Sequence, residues 1–388
     1  MTAARISSAE MLGRLVAFDT VSRNSNLAAI EFIRDYLDGH GIESRLTFDD
    51  DRRKANLFAT IGPADRPGLI FSGHSDVVPV DGQDWTGDPF KLRADEDGLL
   101  YGRGAADMKG FIATALAMVP QLKERVSDVP VHLAFSYDEE VGCIGVRRLI
   151  EQIGMAEARP MACIVGEPTM MQPIIGQKGL YVFRCHVHGH EAHSSRTPYG
   201  VNAVEAAAEL IAKIKGMARR IRDEGPFDDG YDPAYTTLHC GTIQGGAAQN
   251  IVPASCNFTF EIRNLPGHDP AGLVAEIERH AHEHLEPEMQ AVTPSAGFTF
   301  TARDGLPDYA IAEDHPAVTM VKGALGANAV GKVAYMTEAG LFGHAGIPTV
   351  ICGPGDIAQA HKPDEFIEAA QLSRCETFLL RLVESAHG

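Results

Sequence analysis

The chain has 388 residues, 45% of them apolar and 22% charged, which is the composition of a folded protein large enough for two or three domains. Its formal net charge of -18 speaks against a general affinity for nucleic acid or an anionic membrane, because both require a basic surface that displaces counterions. Seven widely spaced cysteines without a Cys-x-x-Cys pair read as buried, reduced thiols, and neither a signal-like apolar core near Met1 nor a run near the ~20 apolar residues of a membrane span is present, so a cytoplasmic protein is expected.

Taken in order, the pattern predicts a capped helix from Ser8, where Met11, Leu12, Leu15 and Val16 follow at helical spacing. A second helix runs from about Asn26 to Asp38 and stops at Gly39-His-Gly41. Short β-type runs follow at 44–48, 56–61 and 68–72, and the last feeds Gly73-His-Ser-Asp-Val-Val-Pro79. A loop with the only tryptophan, Trp85, leads to Gly104-Ala-Ala-Asp-Met-Lys-Gly110. Its glycines lack the Lys-Ser/Thr and the Gly-x-Gly-x-x-Gly spacing of nucleotide loops. A helix period then covers 108–126, and two strand-helix units lead to Gly166-Glu-Pro-Thr169. Between Gly179 and about Val292 the order reads strand 180–187, helix 202–221, strands 236–243 and 256–263, helix 270–285, and a last strand near 289–292. That is βαββαβ, the split βαβ sandwich, so an inserted second domain is expected. Helix 315–325, the loop 335–342, strand 349–352 and a closing helix 364–385 resume the first domain.

Chemistry-bearing residues stand where these runs give out. His74 and Asp76 share a face of extended chain, and a ligating imidazole usually gives its other N–H to a carboxylate, which Asp76 is placed to receive. Alone, such a pair is more often structural. Glu139 and Glu140 follow the run 131–135, Glu167 follows 162–165, His361 lies beyond 348–352, and Asp107 precedes the helical pattern. In an open α/β sheet the carboxyl ends of the strands converge on one crevice. Two imidazoles and three carboxylates there, apart from Glu139, suit Zn²⁺, Co²⁺ or Mn²⁺, and suffice for two ions if one carboxylate bridges. Two-metal sites carry out hydrolysis.

Gly-His-Ser-Asp-Val-Val-Pro, Gly-Arg-Gly-Ala-Ala-Asp-Met-Lys-Gly, Asp-Glu-Glu, Gly-Glu-Pro-Thr and Ala-His-Lys-Pro-Asp-Glu-Phe together resemble the signature set of the M20 family of metallohydrolases. Within it, 336–342 and 352–363 look most like the acetylornithine deacetylase branch. The resemblance implies that Asp107 bridges two divalent metal ions, Zn²⁺ or Co²⁺, that His74 and Glu167 complete one site, and that Glu140 and His361 complete the other. Glu139 would be the general base, taking a proton from water and returning it to the leaving amine. Asp76 would support His74.

The fold class implied is α/β: a mixed-sheet α/β/α metallohydrolase catalytic domain (1–178 and 293–388) with an inserted βαββαβ, ferredoxin-like, lid and dimerisation domain (179–292). In that insert His188-Gly-His-Glu-Ala-His-Ser-Ser195 resembles the family's lid motif, in which the residue matching His193 donates to the oxyanion. His186, His188 and His190 crowd the same strand end, so a structural role for His193 competes. Asn250 and Arg263 resemble the segments that hold a substrate carboxylate, although Arg263 reads equally well as an ordinary strand arginine. Glu338 is expected to receive a cationic substrate side chain, with a buttress of the metal crevice as the alternative. The function implied is hydrolysis of N2-acetyl-L-ornithine to L-ornithine and acetate in arginine biosynthesis, by a homodimer formed through the insert. Desuccinylation of succinyl-diaminopimelate, other acyl amino acid or dipeptide hydrolysis, and a silent binding protein on the same fold are the rivals. Serine or cysteine nucleophiles find no support, since there is no Gly-x-Ser-x-Gly elbow.

Overall fold

Ser7 starts the first helix, Ser8–Val16, by a reciprocal cap: its hydroxyl accepts the Glu10 N–H at 3.2 Å while the Glu10 carboxylate accepts the Ser7 N–H at 2.9 Å. The apolar face so positioned, Met11, Leu12, Leu15 and Val16, is buried. In this computed structural model residues 6–126, 128–154, 158–302 and 305–386 are described. Two compact units are present: Met1–Gly176 with Tyr309–Lys332 and Thr337–Gly388, and Gln177–Asp308 with Val333–Met336.

The first unit is built on a mixed sheet whose central strands run parallel in the order Val131–Ser136, Leu69–His74, Ala162–Pro168, Thr349–Gly353. All residues of these four strands are buried, as a parallel sheet covered on both faces requires. Antiparallel strands Ser44–Phe48 and Ala55–Ile61 extend one side. Parallel pairing brings the carboxyl ends of the four strands to one edge, and the register His74↔Ser136 sets the turn that bears Glu139 and Glu140 beside His74.

Three expectations in this unit are corrected. The helix expected over 108–126 starts only at Gly110: Asp107 (φ -121°, ψ 95°) and Met108 (φ -131°, ψ 35°) ahead of it leave helical geometry, and regular helices occupy Gly110–Ala117 and Val119–Arg125. The non-helical turn has a tertiary partner, because the Glu365 carboxylate takes the N–H groups of Ala106 and Asp107. The closing helix begins at Ala369, not 364, since Phe366–Glu368 pairs as a strand with Leu99–Tyr101. The loop expected over 335–342 becomes helical from Ala339 to His344.

The second unit is a four-stranded antiparallel sheet in the order Thr237–Gly245, Ser255–Arg263, Tyr181–His188, Gly297–Ala302. Alternate residues Cys185, Val187, Phe258, Phe260 and Ile262 are buried in a core shared with helices Ala203–Glu224 and Pro270–His280. The element order is βαββαβ. The strand expected near 289–292 is instead helix Glu286–Val292, with Pro287 in its first turn and Met289 buried, and the closing strand is Gly297–Ala302. The unit therefore extends to Asp308, past the expected boundary at 292. All seven cysteines are free thiols, and among the described residues no helix is long and apolar enough to cross a membrane.

Candidate metal centre

His74 closes its strand with the ring 1% exposed, and its Nε2 lies 3.0 Å from Asp107 Oδ1 and 3.9 Å from Glu167 Oε1. The second carboxylate oxygen of Asp107 faces another imidazole: Oδ2 is 3.3 Å from His361 Nε2, which is 3.0 Å from Glu140 Oε2. Two trios result, His74–Asp107–Glu167 and Asp107–Glu140–His361, each with one ligand atom per residue and all such atoms within 4.8 Å of one another. Asp107 belongs to both, with one oxygen for each. The five residues expected to ligate are thus brought together.

The electrostatics of this cluster call for positive charge. Burial and the neighbouring Asp107 charge push the Glu140 and Glu167 carboxyls up. Asp107 hydrogen bonds and neighbouring carboxylates overcome burial to hold His74 well above its ordinary range, and bonds to Asp107 and Glu140 lift His361 to about 10. Protonated imidazoles would neutralise these carboxylates. A divalent cation in each trio does the same and leaves the imidazoles neutral, which is their ligating form. Glu140 Oε1 is buried with no hydrogen-bond partner, an orphaned oxygen of the kind a cation satisfies. The residues present fit two ions.

Asp76 is placed differently from expectation. The His74 Nδ1 lies 2.9 Å from the Asp76 backbone carbonyl, while the carboxylate is 3.7 Å away. That carboxylate accepts instead the N–H groups of Glu139 (3.1 Å) and Glu140 (3.4 Å) and the Ser22 hydroxyl (2.7 Å). Three donors compete for it, and the carbonyl is left to fix the imidazole tautomer. Glu139 belongs to neither trio. It is 5% exposed, its Oε1 accepts the Cys143 thiol at 3.4 Å, and burial with the Glu140 and Asp107 charges raises its carboxyl despite the opposing effect of His74.

Glu338 is a correction. Its side chain is buried, with Oε1 taking the Ser136 hydroxyl at 2.5 Å and Oε2 the Ser72 hydroxyl at 3.3 Å. Burial pushes it up to about 7. Both oxygens are engaged by strand-end serines and the residue is 1% exposed, which matches the buttress alternative. Sequence reasoning passed over Arg103 and Glu365, a fully buried ion pair at 2.6 Å. The available signal was their placement inside the motifs of Asp107 and His361.

In the second unit, His193 caps the short helix Ser194–Tyr199: its Nδ1 accepts the Ser195 N–H at 3.2 Å. The Ser194 N–H donates to the Asn250 carbonyl at 3.0 Å, so His193 and Asn250 are neighbours. Arg263 donates to Glu261 at 3.0 Å from the far end of Ser255–Arg263, roughly 25 Å along an extended strand from its start. The unit does not gather Arg263 with the other two.

A model of peptidase family M20/M25/M40 matches residues 70–385. The chain belongs to this family. Membership makes it a hydrolytic enzyme. Among curated M20 relatives, the acetylornithine deacetylase of Myxococcus xanthus is 36% identical over 383 residues, covering 96% of this chain and 95% of the relative. That of Proteus mirabilis (strain HI4320) is 34% identical over 370 residues, 95% and 92% of the two chains. Solved M20-like folds include aminopeptidase PepT from Bacillus cereus ATCC 10987 (TM-score 0.77, 19% identity, 99% of this chain and 100% of the other) and the M20 metallo-carboxypeptidase Sso-CP2 from Sulfolobus solfataricus (0.75, 18%, 98% and 99%), which establish the shared fold.

Proposed function

We propose that this M20 amidohydrolase cleaves N2-acetyl-L-ornithine to L-ornithine and acetate, as a step of arginine biosynthesis in the cytoplasm. The observation that carries amide hydrolysis is the pair of trios sharing Asp107, with Glu139 buried beside them and bound to neither. The substrate rests on relatives named acetylornithine deacetylase that align over nearly the whole chain. Seven free thiols accord with a reducing compartment.

In this reading His74, Asp107 and Glu167 hold one cation, and Asp107, Glu140 and His361 the other. Two Zn²⁺ or Co²⁺ ions in a nitrogen and oxygen set supply Lewis-acid polarisation of the amide carbonyl and make water more acidic. Glu139 accepts the proton of the attacking water as the new C–O bond forms, then delivers it to the amide nitrogen as the C–N bond breaks. A carboxyl raised by burial is suited to hold that proton between the two steps. Asp76 fixes the backbone of Glu139 and Glu140. His193 donates to the developing oxyanion, and Asn250 and Arg263 bind the substrate carboxylate. The separation of Arg263 from His193 and Asn250 within one chain supports a homodimer through the inserted unit, in which two copies contribute to each site.

The test is a panel of N2-acetylornithine, N-succinyl-diaminopimelate, N-acetylmethionine and dipeptides, assayed with Zn²⁺- or Co²⁺-loaded enzyme and after chelation. The highest kcat/KM is expected for N2-acetylornithine, with activity lost on chelation. A higher value for any other member overturns the substrate assignment, and turnover that survives complete metal removal overturns the mechanism.

A further inference from the structure

We infer that Arg103 and Glu365 are positioning residues that set the Asp107–His361 half of the metal centre by tying two ligand-bearing loops together. This rests on the two-metal reading above. Arg103 precedes Asp107 by four residues, and Glu365 follows His361 by four. Each reaches across to the other loop. Glu365 Oε1 accepts the N–H groups of Ala106 (2.9 Å) and Asp107 (3.0 Å), and its Oε2 accepts the Gly104 N–H (3.0 Å) and the Arg103 guanidinium (2.6 Å). In return the Arg103 Nη2 donates to Gln83 Oε1 at 2.5 Å, and Gln83 Nε2 donates to the His361 backbone carbonyl at 2.9 Å.

Both charges are 1% exposed. A buried ion pair carries a desolvation cost that packed apolar residues would avoid, so its use here points to geometry and not to net stability. Four donors on one carboxylate fix the turn on which Asp107 departs from the helix, and the link through Gln83 fixes His361, whose φ of 65° is otherwise a strained choice. No atom of Arg103 or Glu365 belongs to the ligand trios. The sole tryptophan reports on the network: the Trp85 ring centroid lies 5.0 Å from the Arg103 guanidinium, and its Nε1 donates to Gln83 Oε1 at 3.0 Å.

The experiment is a Co²⁺ titration of metal-free full-length protein, read by the visible absorbance of the bound ion and by Trp85 fluorescence. Gln83→Leu removes the link to His361 together with the acceptor of Arg103 Nη2 and Trp85 Nε1, but leaves the Glu365 contacts to Ala106 and Asp107 in place. The Co²⁺ absorbance is therefore its readout, and it is expected to weaken one equivalent about 10-fold while the other stays within about threefold of wild type. Glu365→Gln loosens Asp107, which serves both trios, and is expected to weaken both equivalents by about 10-fold or more. Wild-type binding of both equivalents by both variants overturns the inference. If Glu365→Gln does not fold, Gln83→Leu decides alone. Because binding and not turnover is read, failure of the proposed reaction appears separately, as two bound equivalents in the wild type without amide cleavage.

Discussion

Asp76 Oδ1 accepts the backbone N–H of Glu139 at 3.1 Å, so a residue just past one strand end holds the turn that follows its parallel neighbour. With Oδ2 on the Ser22 hydroxyl and the Glu140 N–H, this carboxylate secures a candidate base and a candidate ligand through their main chain. Asp76→Asn offers only one acceptor oxygen and leaves one of these donors without a partner. It is expected to lower kcat/KM by about 10- to 100-fold, as loss of an outer partner does at metal sites, and to cost about 1–3 kcal/mol in stability. Steady-state kinetics and denaturant unfolding read the two effects, and wild-type kcat/KM in the variant would refute the role. Ser22→Ala removes one donor only and should cost about 1 kcal/mol or less.

Glu139 lies next to Glu140 in sequence but outside both trios. Replacing it with Gln preserves shape and removes the proton acceptor. The expected outcome is a kcat lower by about 10²- to 10⁴-fold, with two metal equivalents still bound on elemental analysis. Loss of a metal equivalent would instead make Glu139 a ligand.

Glu338 has both carboxylate oxygens engaged by Ser136 and Ser72. Glu338→Gln should leave the kcat/KM ratio of N2-acetylornithine to N-acetylmethionine within about twofold of wild type, and should cost about 1–3 kcal/mol in stability because the serine hydroxyls lose charged partners. A ratio that collapses toward unity would restore a direct substrate contact.

His132 supplies the clearest pH dependence. Its ring stacks on Phe58 at 5.4 Å, Nδ1 lies 2.9 Å from the Thr60 hydroxyl, and burial pushes it from 6.5 down to about 4. Between these values the unfolded chain binds a proton that the folded chain refuses. Stability from this group is therefore complete above pH 6.5 and is lost as pH falls toward 4, by roughly 3 kcal/mol in all. His132→Gln should flatten that limb, so urea midpoints at about pH 7 and about pH 4.5 should differ less in the variant than in the wild type. An equal difference in both proteins would exclude His132 as the cause.

Much of this protein was determined by local sequence. His74, Glu139, Glu140 and Glu167 could be placed at strand ends because an apolar β-run that stops at a polar residue is visible within a few positions, and parallel pairing then carries those ends to one edge. The βαββαβ order was legible for the same reason, although Met289 proved to be a buried helical residue and not part of a strand. Only the tertiary structure decided the break at Asp107, the use of the Asp76 carboxylate, the burial of Glu338 and the strand ahead of the last helix. Each depends on a hydrogen bond or strand pair to a distant residue: Glu365 on Asp107 is 258 positions away, and Ser136 on Glu338 is 202. Periodicity reports which face of a segment is apolar, whereas the partner of a buried polar group is chosen by whatever the fold brings within bonding distance.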